Sequence, residues 1–316
     1  MGRKLDHSLA IVNGVLGDHL ARTENPLATQ FACMHDGSPL PMDRQAFARA
    51  LPNATPRVAI FVHGLMCTEE VWRLPDGDDY GSLLERDLGV TPLRVRFNSG
   101  RAIADNGIEL DAFCAQLTAV YPVPIDEILL VGFSMGGLVI RSACHVAKLG
   151  RHAWLSLVRR AVYIGTPHHG APLERAGRWV TRILRAVPDP YTRLIADICD
   201  LRSDGLRDLG HADLTHEHRA LPRRISIRDP RHPVPLLPEI EHYLVAGALA
   251  ESAWLALWFG DTVVPVASAT AGACIDPGSL AIPPEHVRIF RSFSHMRLAH
   301  DREVYGAVRG FCEECA

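Results

Sequence analysis

One serine, Ser134, stands in the stretch VGFSMGGLV (131–139), with glycines two before it, two after it and three after it. A serine hydroxyl at its ordinary pKa is a weak nucleophile. It needs a histidine to take its proton and a carboxylate to orient that histidine. The spacing Gly132-x-Ser134-x-Gly136 suits a sharp strand-to-helix turn. There a β-carbon on the flanking residues would strike the chain, and the hydroxyl is lifted clear of the sheet. A helix opening directly afterwards points unbonded N–H groups at the same place. The pattern alone is weak. Its context gives it weight, because an apolar run at 128–131 precedes it and a helical pattern at 137–148 follows.

After such a turn the acid and the histidine come later in the chain, in that order, each beyond a further strand. Asp261, in GDTVVPVASA, follows the apolar run 243–248. His295, in SFSHM, follows the run 287–290. Asp276 precedes Pro277 and Gly278 and reads as a turn starter, and Asp229 comes too early. His300 falls in a predicted last helix over 298–308, which would carry it from the sheet edge. An oxyanion needs backbone donors. The N–H of Met135 is one, and the N–H of Leu65, in the loop after the first recognised strand, is the other, with Met66 as second candidate. Gly64 allows close backbone approach there. His63 is on the wrong loop for a base and is expected to hold that loop. The adjacent His168 and His169 are expected to stabilise a turn rather than bind metal. Met66 and Phe133 offer walls for an acyl chain, and suit a core equally well.

These residues need a sheet to bring them together. Apolar runs at 58–62, 93–97, 128–131, 161–165, 243–248 and 287–290 alternate with helical patterns at 108–120, 137–148 and 173–187. Such alternation predicts a parallel sheet covered on both faces. The gap between 165 and 243 far exceeds a loop of about 2–6 residues plus one helix. It predicts a cap or lid insertion over 170–240 within one domain spanning 1–316. Its helix 173–187 sets Leu173, Ala176, Val180, Ile183, Leu184 and Val187 on one face, with Arg175, Arg178, Arg182 and Arg185 mostly on the other. That pattern fits a cap helix packed on its own domain, and is also suited to transient contact with a lipid interface. The stretch RDPRHPVPLLPEI reads as a stiff connector.

The 316 residues are 47% hydrophobic and 22% charged, with a net charge of −3. That balance gives no bulk attraction to nucleic acid and contains no membrane-spanning run. Residues 1–56 read as an N-terminal helical extension, because Leu5, Leu9, Val12, Leu16 and Leu20 fall at helical spacing. A docking helix is expected there rather than an export signal. The eight cysteines form no zinc pattern and read mostly as buried thiols of a reducing, cytoplasmic compartment. No motif fixes an oligomeric state.

Together, AIFVHGLMCTEEVW, VGFSMGGLVIRSA, YIGTPHHGAP, GDTVVPVASA and SHMRLAHDREVY resemble the lipase-like esterases of the α/β-hydrolase superfamily. Within it the likeness is to bacterial triacylglycerol-lipase-like and GPI-inositol-deacylase-like proteins. It runs from about residue 57 to residue 311, and the insertion matches poorly. The resemblance implies an α/β-hydrolase fold, a mostly parallel sheet with helices on both faces and a helical cap. It implies Ser134 as nucleophile, Asp261 as acid and His295 as base, cleaving carboxylic esters of acylated, often lipid-like, small molecules without a cofactor. The same triad would serve acyl transfer or amide cleavage. A non-catalytic scaffold is disfavoured because all three residues are present. Secreted lipases usually carry an export signal, and some bind structural calcium. Neither is evident here, which favours an intracellular enzyme.

Overall fold

A computed structural model of the chain describes residues 3–168, 203–220, 234–248 and 282–313. Among these, eight strands form one sheet: β1 (Ala32–His35), β2 (Ser38–Leu40), β3 (Arg57–Val62), β4 (Thr91–Arg96), β5 (Glu127–Phe133), β6 (Val158–Ile164), β7 (Glu241–Ala248) and β8 (Val287–Arg291). Their order across the sheet is β2-β1-β4-β3-β5-β6-β7-β8. The pairs from β4 to β8 are parallel, and β1 runs antiparallel to both of its neighbours. Each predicted run falls on a strand, with Phe97 and Gly165 one residue past the ends of β4 and β6.

The central strands are apolar throughout because both of their faces are covered. Their two-residue period divides them between two cores. Val58, Ile60, Val62, Ile128 and Leu130 face one core, and Ala59, Phe61, Leu129, Val131 and Phe133 face the other. The first core is closed by α1 (Arg3–Arg22), α2 (Arg44–Ala50), α4 (Ile103–Val120) and α5 (Met135–Gly150). The second is closed by α3 (Tyr80–Leu88) and the final helix α8 (Arg302–Glu313). Local chemistry fixes the short α3. The Asp79 carboxylate accepts the N–H groups of Gly81 and Ser82 at its start, and Gly89, at φ 64°, ends it in the left-handed conformation.

Two expectations change. Residues 1–56 hold more than helix, because β1 and β2 form a hairpin that extends the sheet. Asp36 and Gly37 turn it, with φ 49° and 74°, the positive values that a two-residue hairpin loop demands. The last helix begins at Arg302 rather than 298. Residues Met296–Ala299 form a separate 3₁₀ turn, and His300 sits in the break.

Part of the expected insertion is described. Its helix α6 (Asp204–His211) packs on α1 and α4, and the next helix α7 (His216–Ala220) sets His216 3.1 Å from Asp105 of α4. The Ser203 hydroxyl donates to the Gly14 carbonyl at 2.7 Å, and the Ser142 hydroxyl to the Leu214 carbonyl at 2.7 Å. The Gly205 N–H donates to the Gly100 carbonyl at 2.9 Å. The predicted helix 173–187 lies outside the described residues. Among the described residues no helix is long and apolar enough to cross a membrane. The described cysteines, Cys33, Cys67, Cys114, Cys144 and Cys312, are buried free thiols.

Candidate active site

Ser134 occupies the junction between β5 and α5, at φ 53° and ψ −120°. A side chain is rarely held there, and such backbone strain costs about 1–3 kcal/mol. Surrounding structure enforces it. The Ser134 N–H donates to the Ile164 carbonyl on β6 at 2.8 Å. Gly136 lies so close to the end of β3 that a β-carbon there would sit 2.2 Å from the Val62 carbonyl oxygen and 2.5 Å from that of His63. Only hydrogen fits, which explains the second glycine of the motif in contact terms.

His295 reaches the same rim of the sheet from the loop after β8. Its ring lies 4.9 Å, centroid to centroid, from that of Phe133, the residue before the serine. It also covers Gly165, where an added β-carbon would be 2.8 Å from His295 Cε1 and 3.0 Å from Nδ1. Gly165 directly follows Ile164, the acceptor of the Ser134 N–H. Ser134 and His295 therefore flank one point of the backbone, and both are almost completely buried, at 1% and 2% exposure. The histidine opens the 3₁₀ turn Met296–Ala299, and its carbonyl accepts the Leu298 N–H. Beside it, the Arg297 guanidinium lies 3.8 Å over the Phe293 ring.

The loop after β3 forms the third side. A β-carbon on Gly64 would lie 3.1 Å from Ser134 Cβ, so this backbone runs directly beside the serine. Among the described residues, no partner takes up the N–H of Leu65 or of Met135. The Met66 N–H is committed elsewhere, donating to the Ser99 hydroxyl at 3.0 Å. His63 ties this loop down. Its Nδ1 is 2.8 Å from the Gly64 carbonyl, its Nε2 accepts the Phe97 N–H at 3.2 Å, and its ring stacks on Phe97 at 4.2 Å. Burial lowers its pKa to about 4, so the ring is neutral and both nitrogens are used structurally.

Phe133 and Met66 are wholly buried, in separate cores. His168 is buried beside Arg141, whose guanidinium also donates to the His168 carbonyl at 3.2 Å. His169 and Asp261 lie outside the described residues. Sequence reasoning passed over Thr166. A β-carbon on Gly137 would lie 2.1 Å from its hydroxyl oxygen, so the GTP stretch after β6 braces the start of α5. The adjoining GTPHHG block was its signal. Among the described residues no group of three or more His, Cys, Asp or Glu is placed to hold a metal ion.

No protein-family model matches the sequence, and no curated protein matches it. Solved structures do. A Bacillus licheniformis lipase in its mature form superposes with a TM-score of 0.51 at 18% identity, over 82% of this chain and 92% of that one. Its propeptide form gives 0.53 at 16% identity, over 91% of this chain and 54% of that one. The sheet order, the serine at the β5–α5 turn and these superpositions define an α/β-hydrolase fold.

Proposed function

We propose that the chain is a serine hydrolase that cleaves carboxylic esters of acylated or lipid-like substrates. One observation carries the reading: Ser134 in a strained strand-to-helix turn with the His295 ring seated against both Phe133 and Gly165. Ser134 Oγ attacks the ester carbonyl while His295 takes its proton. Asp261 orients the imidazole and stabilises its cation. The tetrahedral oxyanion accepts hydrogen bonds from the Leu65 and Met135 N–H groups, donors fixed before the charge develops. Collapse expels the alcohol, which takes the proton from His295. Water, deprotonated by the same histidine, then attacks the acyl-enzyme, and the acid leaves as the Ser134 hydroxyl is restored. Every step is proton transfer or acyl transfer among these groups, and none calls for a metal or organic cofactor.

The test is turnover of p-nitrophenyl esters of increasing chain length, assayed below and above their solubility limits. The wild-type chain should show an early burst of p-nitrophenol, and Ser134→Ala should show no turnover. Comparable hydrolysis by Ser134→Ala would refute the reading. A rise in rate above the solubility limit would assign the insertion the role of a mobile lid.

A further inference from the structure

The turn beside the nucleophile has an unusual composition. The Cys67 N–H donates to the Gly64 carbonyl at 3.3 Å, closing a four-residue turn with Leu65 and Met66 at its centre. Met66 stands there at φ 59°. A positive φ at the third position of such a turn ordinarily falls to glycine, because a β-carbon disfavours it. Other groups must therefore hold the peptide between Leu65 and Met66. Two are in place. On one side the Ser99 hydroxyl accepts the Met66 N–H at 3.0 Å. On the other, α1 lies on the methionine so closely that a β-carbon on Gly14 would fall 2.3 Å from Met66 Cγ.

Ser99 is itself rigidly mounted. The Asn98 side chain donates to the Gly17 carbonyl on α1 at 2.9 Å and accepts the Gly100 N–H at 3.1 Å. The Asn98 carbonyl accepts from the Asn106 side chain on α4 at 3.0 Å and from the Arg101 N–H at 3.1 Å. The Gly100 carbonyl accepts the Gly205 N–H from the insertion. Residues 98–100 thus form a bracket clamped by α1, α4 and α6, with the Ser99 hydroxyl as its one bond to the turn.

We propose that Ser99 is a positioning residue for oxyanion binding: by holding the Met66 N–H it keeps the Leu65 N–H directed at the carbonyl that Ser134 attacks. This rests on the ester-hydrolase reading above. Ser99 touches no reacting atom. Its hydroxyl fixes a left-handed methionine, and the neighbouring peptide then presents its donor. The N-terminal helix and the insertion become part of the same machinery, because both anchor the bracket.

The test measures kcat and KM on a p-nitrophenyl ester and amide hydrogen exchange at Met66, for wild type, Ser99→Ala, Ser99→Cys and Ser99→Thr. Ser99→Ala should lower kcat about tenfold, short of the roughly 100–1,000-fold that follows outright loss of an oxyanion donor. KM should stay essentially constant, and exchange at Met66 should accelerate. Ser99→Thr keeps the hydroxyl and should restore both. Ser99→Cys, close in shape with a weaker acceptor, serves the same purpose if the alanine variant does not fold. Unchanged kcat in folded Ser99→Ala or Ser99→Cys, with Ser134→Ala inactive, would overturn the proposal. A wild-type chain that cleaves no ester would instead overturn the hydrolase reading. Exchange at Met66 would then still decide whether Ser99 holds the turn, and unchanged exchange would overturn that.

Discussion

The His295 imidazole lies tilted by 34° against the Phe133 ring, 4.9 Å between centroids. Two residues far apart in sequence thus share one packed contact immediately beside Ser134. The contact limits where the imidazole can go, and that is what a proton acceptor for the serine requires. Replacing Phe133 by alanine should loosen the histidine as well as open a cavity. The expected result is a fall in kcat of about tenfold or more, since misplacement by about 1 Å costs roughly a hundredfold. A stability loss of about 3–5 kcal/mol should accompany it. Steady-state kinetics and urea unfolding of one sample would report both.

Gly136 and Gly64 should respond differently to the same change. A β-carbon on Gly136 meets rigid backbone carbonyls at 2.2 and 2.5 Å, whereas one on Gly64 meets Phe133 Cδ1 and Ser134 Cβ at 3.1 Å. Gly136→Ala should fail to give a folded protein. Gly64→Ala should fold, because a few tenths of an ångström relieve it, yet turn over ester several-fold more slowly. Circular dichroism and kinetics would separate the pair. A fully active Gly64→Ala would place the loop after β3 farther from the serine than the structure has it.

His63 and His242 are both held neutral by burial, each with its pKa lowered to about 4. The folded state resists protonation that the unfolded chain accepts near 6.5. Their contribution is therefore complete above pH 6.5 and is lost as pH falls from there toward 4. The loss is roughly 1.4 kcal/mol per pH unit for each group over that interval. Urea midpoints at pH 7.5, 6 and 5 should decline accordingly, and His63→Phe should be less stable at pH 7.5 with a shallower decline. An equally steep decline in that variant would refute this account of His63.

Asp208 has the opposite sign. It is buried where α6 meets α4, and its carboxylate accepts the Ile103 N–H at 2.9 Å. Burial raises its pKa to about 7, against the lowering effect of Arg219 and the Ile103 N–H and with small raising effects from Asp213 and Asp204. The charged form is the disfavoured one in the fold. Its cost is absent below about pH 4, grows as pH rises to 7 and is constant above. Asp208→Asn, which keeps the acceptor, should raise the melting temperature at pH 8 and give no gain at pH 4. A gain that did not vary with pH would contradict this.

Much of this arrangement was legible in the sequence. The parallel strands declared themselves because strands buried on both faces are continuous apolar runs, and Ser134 because its glycines follow a fixed spacing between an apolar run and a helical pattern, although the contacts that require Gly136 and Gly137 come from distant Val62, His63 and Thr166. The β1–β2 hairpin was missed although Asp36-Gly37 carries a strong turn signal, because strands of four and three residues show no alternation. Helix α3 was missed because Gly81 interrupts a pattern only nine residues long. The last helix was placed too early because the 3₁₀ turn before it continues the apolar spacing through Leu298. The bond from Met66 to Ser99 left no trace, since it joins separate loops and depends on a backbone conformation that methionine seldom adopts. The carboxylate expected at Asp261 lies outside the described residues.

The most direct measurement is intact mass and peptide mapping after exposure to a fluorophosphonate, for wild type, Ser134→Ala and His295→Ala. One phosphonyl adduct should form on the wild-type chain, on the peptide carrying Ser134. None should form on Ser134→Ala, and labelling of His295→Ala should be far slower. An adduct of equal yield on Ser134→Ala, or an undiminished rate in His295→Ala, would contradict the assignment of this serine and histidine to one reacting pair.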